Sequence, residues 1–318
     1  MSKAAARKPS VKRPGSGHTG LRKVLHSWQL YVLLIPALVW AAVFAYYPMY
    51  GLIIAFKDYK IRVGILNSPW ANPIGKYFQQ FFSTSIAINA IRNTIVISLE
   101  SIVFAFPIPV IFALLLNQIQ NIRARKLIQT ISYAPYFMSN VVVVSIITVF
   151  FSANGVINNI IMSMGGKTVY FTSLPQWFRF LYISSNIWQS MGFNAVIYIA
   201  TLTGISPEYY EAARVDGANR WQLIRYIDIP MIMPTVILML ILQIGNIMNV
   251  GYEKAYLMQN GSNTVVSELI STYVYKVGLQ TAQYSFATAV GLFNSVVNFI
   301  ILIIANIIAK KASDISIF

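Results

Sequence analysis

The chain has 318 residues, of which 57% are hydrophobic and 10% charged, with a formal net charge of +15. A soluble domain carries about a quarter charged residues, so this composition excludes one and requires a nonpolar solvent, which a bilayer supplies. Cysteine is absent and the only histidines, His18 and His26, precede every apolar segment, which excludes disulfides, thiolate chemistry and an intramembrane histidine metal site.

In chain order, residues 1–28 are basic and contain Ser, Gly and Pro without helical periodicity, which reads as a disordered tail inside the cell. Seven of the 24 Lys+Arg lie in residues 1–23 and the others fall mostly between apolar runs, a pattern of membrane topology rather than of a nucleic-acid-binding face. A membrane span needs about 20 mostly apolar residues. Six segments qualify: Leu30–Phe56, Asn93–Gln118, Leu127–Phe151, Phe180–Thr203, Met231–Gly251 and about Ser285 to Ala309. The first is too long for the apolar region of a signal peptide and is expected to be retained. The expected layout is therefore a tail (1–28), a first transmembrane helix (29–57), a transmembrane core (85–310) and a short tail (311–318), all α-helical. Basic residues favour the inner side of a membrane. With both termini inside, the inner segments hold the tail, Arg123, Arg125, Lys126, Arg214, Arg220, Arg225, Lys310 and Lys311. The first outer segment is nonetheless basic, with Lys57, Lys60, Arg62, Lys76 and Arg92.

Between the fourth and fifth spans lies the most informative loop, 206–230. Ser206 is a suitable N-cap, Pro207 suits the first helical position, and Glu208 falls in the first turn, where the helix dipole favours an acid. Gly217 is placed to end this helix, because glycine takes the left-handed conformation at little cost. Asn219–Ile227 can form a second short helix that stops before Pro230. Ala212, Ala213 and Gly217 let another surface approach closely, and Glu211 and Arg214 offer charge-assisted hydrogen bonds. Physics alone also permits a plain amphipathic connector.

The run Glu211-Ala212-Ala213, three residues, Gly217, nine residues, Ile227-Asp228-Ile229-Pro230 resembles the EAA motif of binding-protein-dependent ABC importer permeases. Ile229 stands where that motif has leucine, a near-isosteric change. The resemblance implies a type I importer permease fold with six transmembrane helices. It also implies that Glu211, Ala212, Ala213, Gly217, Ile227 and Pro230 belong to a coupling helix that docks into a separate ATPase. Further segments extend the likeness along most of the chain: Tyr47–Gly51 with Ala55–Tyr59, Tyr133–Ser139, and Thr272–Leu279. They resemble the oligosaccharide and polysaccharide-fragment branch, related to the maltose-type permeases. The partners implied are two ATP-binding subunits, a second permease, an extracytoplasmic solute-binding protein and membrane lipid, in a bacterial cytoplasmic membrane. Phosphate, amino-acid and metal-chelate importers share the motif, which leaves a non-sugar solute as the alternative.

A Walker A loop needs a glycine five positions before its Gly-Lys-Thr, and before Gly166-Lys167-Thr168 that position is Ile161. No cofactor is therefore expected on this chain; ATP and magnesium belong to the partner ATPase, and no catalytic residue is assigned. A proton-coupled secondary transporter would place ionisable groups mid-membrane. Glu100 is the one charged residue well inside a span, on the same face as Asn93, and reads either as a path-lining acid or as a helix–helix contact. Pro107 and Pro109 are expected to kink that span. A sugar path needs amides for hydroxyls and aromatics for ring faces. The candidates are Asn93, Glu100, Trp188, Gln189, Asn194, Asn246, Asn249 and Tyr273. Amides within spans also serve as interhelical hydrogen bonds.

Overall fold

The computed structural model describes residues 28–313, with side chains over 30–311, and divides the chain into two units, Met1–Leu52 and Ile53–Phe318. The reading of residues 1–28 as a disordered tail lies outside the described residues but for Trp28, and the short tail 311–318 likewise beyond Ser313. Among the described residues, regular structure is helical apart from one isolated antiparallel bridge between Lys57 and Trp70.

In the first unit, the Trp28–Ala41 helix passes through a widened π turn, Ala42–Tyr46, into Tyr47–Met49. Two long helices of the second unit contain the same device. The Ser85–Glu100 helix opens at Ser101–Ala105 and continues as Pro107–Asn117, and Ile224–Asp228 opens ahead of Ile229–Gly245. In each case a proline follows the widened turn: Pro48, Pro107 and Pro230. Proline has no N–H and its ring clashes with the carbonyl four residues earlier; an i→i+5 turn spreads that carbonyl away. The Phe106 amide, for example, bonds the Ser101 carbonyl at 3.0 Å. This corrects the expectation that the second loop helix stops before Pro230. Helix runs unbroken from Arg220 to Gly245 as one of four helices long and apolar enough to cross a membrane.

The other three are Leu30–Phe56, Ser85–Asn117 and Tyr284–Lys311. The expected span Leu127–Phe151 is a pair, Ile122–Phe137 and Asn140–Phe150, bent by 99°, and counts as a fifth if the pair is one span. The bend falls after Pro135, where Ser139 caps the new helix through a 3.4 Å bond from the Val142 amide. The expected span Phe180–Thr203 is helical as Pro175–Asn194 and Val196–Thr203, but its many serines and amides leave it short of the hydropathy of the others.

In the second unit, small residues set the closest approaches. A Cβ on Gly192 would sit 2.2 Å from the Ser132 carbonyl oxygen, so the Pro175–Asn194 helix meets the Ile122–Tyr133 helix backbone to backbone. Ala87 and Ala90 are fully buried in the cluster of Phe81, Met248, Ile270, Phe286 and Val290. Amide side chains join the fifth and last apolar helices: Asn298 accepts from the Met248 amide at 2.9 Å, and Asn294 donates to Asn249 at 2.9 Å. Large apolar side chains elsewhere stay outward, with Phe104 and Phe299 60% and 62% exposed. In water that surface would cost about 25 cal/mol per Å2; against lipid chains the penalty vanishes.

Candidate functional site

The 206–230 hairpin is assembled from local rules. The Ser206 hydroxyl accepts from the Glu208 amide at 3.4 Å, with Pro207 opening a helix that runs to Val215. At its end the Ala218 amide bonds the Ala213 carbonyl at 2.9 Å and the Gly217 amide bonds the Arg214 carbonyl at 3.0 Å. These are the two bonds of a Schellman cap, and Gly217 takes the positive φ (+80°) that the cap demands. Asn219 then starts the next helix with a capping box: its Oδ1 accepts from the Gln222 backbone amide at 3.0 Å while Gln222 Oε1 accepts from the Asn219 backbone amide at 2.7 Å. Of the six motif residues, Glu211, Ala212, Gly217 and Pro230 are exposed, and Ala213 and Ile227 half-buried. Around them Tyr209, Val215, Trp221 and Tyr226 are exposed by half or more, an apolar surface of the kind that a partner covers.

The hairpin is held to the bundle by a group that the motif does not single out. Asp228 is fully buried. Its Oδ1 accepts from the Tyr210 hydroxyl at 2.5 Å and the Asn117 amide at 3.3 Å, and its Oδ2 accepts from Gln118 at 2.8 Å. One carboxylate, carried by the Arg220–Gly245 helix, thus ties the first hairpin helix to that helix and to the end of the Ser85–Asn117 helix. Burial, and then the neighbouring Asp228 carboxylate, pushes the Tyr210 hydroxyl well above the ordinary tyrosine range. The available signal in the sequence was an acid flanked by Ile227 and Ile229, where an unpaired charge is untenable.

A second feature is a cavity of about 350 Å3 among the Ser85–Asn117, Pro175–Asn194 and Ile229–Gly245 helices. Its polar lining comprises Ser98, Ser101, Asn186, Ser190, Asn194, Gln243, Asn246 and Asn249, with the aromatic rings of Tyr182 and Tyr198; no lining residue is charged. Residues 246–248 form a turn just past the end of the Ile229–Gly245 helix, and Asn249 follows in irregular backbone. Non-helical backbone between spans is tolerated where it lines a polar cavity.

Of the eight path candidates, Asn194, Asn246 and Asn249 come together on this wall. The others lie elsewhere. Asn93 is buried and donates to the Val265 and Glu268 carbonyls at 2.8 and 3.1 Å. Glu100 pairs with Arg179 at 3.6 Å, across to the Pro175–Asn194 helix. Gln189 donates to the Met138 carbonyl at 3.0 Å, Tyr273 packs against Phe81 and Phe286, and the exposed Trp188 is outside the lining. Tyr182, Asn186 and Ser190 were missed, although with Asn194 they recur every four residues along one helix face.

Beside the cavity, Lys254 is buried on the Tyr252–Met258 helix and donates to Asn186 Oδ1 at 2.8 Å and Gln189 Oε1 at 3.0 Å. Burial pushes its ammonium down to about 8, so it stays mostly charged at neutral pH.

An all-helical membrane bundle, an exposed EAA-type hairpin and an uncharged polar cavity together define a transport permease. The profile of the family described as "Binding-protein-dependent transport system inner membrane component" matches residues 105–314, and the chain belongs to this family of ABC importer permeases. It is 41% identical over 302 residues to the protein LplB of Bacillus subtilis (strain 168), covering 95% of this chain and 94% of that one. It is 38% identical to the polygalacturonan/rhamnogalacturonan transport system permease protein YteP of the same organism, covering 92% and 91%. Among solved structures, it resembles a chain of a bacterial ABC transporter involved in the import of the acidic polysaccharide alginate, with TM-score 0.83, 39% identity and coverage of 92% and 99%. A chain of the bacterial alginate ABC transporter in complex with its alginate pentasaccharide-bound periplasmic protein matches with TM-score 0.84, 38% identity and coverage of 94% and 99%. The chain is therefore a multi-pass membrane protein and a permease subunit.

Proposed function

We propose that this chain carries an oligosaccharide across the cytoplasmic membrane by alternating access, driven by ATP hydrolysed on two separate subunits. The observation that carries this reading is the hairpin: Glu211, Ala212, Ala213, Gly217, Ile227 and Pro230 lie along one capped helix-turn-helix, edged by exposed aromatics and anchored by Asp228. The ATPases close on this hairpin from the cytosol, where both chain termini also lie. Asp228 passes the movement to two spans. A second, homologous permease completes the path, and an extracytoplasmic binding protein delivers the sugar, in keeping with the relatives' carbohydrate systems. The chain itself holds no nucleotide; Gly166-Lys167-Thr168 lacks its partner glycine.

Within the path, Asn194, Asn246 and Asn249 meet sugar hydroxyls, and Tyr198 offers a ring face. Proton coupling is disfavoured because Glu100, the one acid well inside a span, is engaged in an ion pair with Arg179 at 3.6 Å. The test is uptake of a labelled oligosaccharide into proteoliposomes holding the complete complex and its binding protein. Uptake should require internal ATP, be insensitive to protonophores, and be lost with ATPase association in Gly217→Pro or Glu211→Lys. ATPase association and uptake that survive both changes would overturn the coupling assignment, and uptake driven by a proton gradient alone would overturn the mechanism.

A further inference from the structure

Among the described residues three carboxylate–cation pairs occur: Lys76 with Asp58, Arg179 with Glu100, and Lys276 with Glu268. Lys254 has none of these acids. It is only 4% exposed, and its ammonium bonds two neutral amide oxygens, leaving one of its three N–H donors unassigned. The adjacent acid, Glu253, turns its carboxylate to Asn140 instead. A buried cation with no counter-ion is costly by several kcal/mol, and tethering Asn186 to Gln189 needs no charge. Asn186 faces both ways, bonded to Lys254 and lining the cavity, and the cavity wall also includes Val250 and Gly251, a few residues before Lys254. The wall holds no carboxylate that would repel an anion. Its amides and hydroxyls suit neutral sugar hydroxyls, and the missing complement, positive charge, stands immediately behind Asn186.

We propose that Lys254 is a specificity-determining residue that makes this path favour carboxylated oligosaccharides, those built of uronate sugars, over neutral ones. The inference rests on the reading of the chain as an oligosaccharide permease and adds the charge of its substrate. As a uronate ring enters, its carboxylate takes the free ammonium donor, or exchanges with the Asn186 amide, and supplies the counter-charge that the apo site lacks. A neutral ring keeps the hydroxyl contacts and gains nothing from the cation.

The experiment measures binding of radiolabelled trigalacturonic acid and of its methyl ester to the complete complex in lipid nanodiscs, without the binding protein, by equilibrium dialysis. The ester keeps the hydroxyls and removes the charge. Wild type should bind the acid at least about tenfold tighter than the ester, because the pair forms out of water. Lys254→Gln should abolish this preference by weakening the acid alone, and Lys254→Arg should retain much of it. Equal affinities in wild type overturn the proposal. So does an equal loss for both probes in Lys254→Gln, which would make Lys254 a tether, or an unchanged preference in that variant. Failure of both probes to bind wild type overturns the assignment of the cavity as the sugar path and this inference with it. ATP-dependent uptake of any oligosaccharide by the same complex reports separately on the permease reading.

Discussion

Tyr210→Phe removes a single hydroxyl from the Asp228 anchor and leaves the ring in place. That hydroxyl donates to a fully buried carboxylate at 2.5 Å and so links the Pro207–Val215 helix to it. A hydrogen bond to a charged group contributes about 1.5–3 kcal/mol. Taking about 2 kcal/mol, the population in which the hairpin helix detaches from the spans rises roughly 30-fold. Asp228→Asn is milder in shape but removes the charge and turns an amide donor towards either Tyr210 and Asn117 or Gln118; a flip of the Gln118 amide relieves the latter clash. Asp228→Ala leaves three donors without an acceptor and is the most damaging of the three. Hydrogen exchange of the amides in 208–215, measured on the complete complex, reads the detachment directly. The expected order of exchange is Asp228→Ala fastest, with Tyr210→Phe about 30-fold above wild type. Solute moved per ATP hydrolysed should fall in the same order, because the ATPase would then move a loosened hairpin. Exchange raised less than about threefold, with an unchanged transport-to-hydrolysis ratio, would refute the anchor.

Gly192→Ala should prevent assembly of the folded subunit, read as loss of a monodisperse peak, because its Cβ meets the Ser132 backbone at 2.2 Å; Gly291→Ala, with nothing within 4 Å, should be tolerated. Asn249→Ala should depress oligosaccharide uptake several-fold while leaving basal ATPase activity near wild type, since Asn249 lines the cavity and bonds Asn294 and Asn246, past the opposite end of the Ile229–Gly245 helix from the hairpin. Equal loss of both activities would mean a folding defect. In the segment that follows the first span, the Tyr77 hydroxyl and then the Lys76 ammonium hold the Asp58 carboxyl below its ordinary range. The folded state therefore binds that proton less tightly than the unfolded chain, so this contribution is present above about pH 4 and lost as pH falls through the lowered value. The melting temperature of Asp58→Asn should lie below wild type at pH 7 and converge with it in acid; a gap that persists in acid would contradict the linkage.

Ser206, Gly217 and Asn219 were legible in the sequence because each acts on neighbours two to five residues away, and local geometry alone places a cap. The apolar runs were legible for a different reason: a bilayer demands length and composition, and both are counted directly. What composition cannot carry is rotation. A span that is apolar on nearly every face has no periodicity to say which side meets a neighbour, so Asn93 and Tyr273 looked as suitable for the path as Asn194 and Asn249. Packing put Asn93 against the Val265 and Glu268 carbonyls and Tyr273 against the Phe81 cluster, and the second pair on the cavity wall. The bend after Pro135 and the continuation through Pro230 also escaped local rules, since the same residue breaks one helix and is absorbed by a widened turn in the other. Asp228 with Gln118, and Lys254 with Asn186, pair across 110 and 68 residues. Such partners are chosen by how whole helices settle against one another, where an unpaired buried charge is too costly to persist and every amide within reach is recruited.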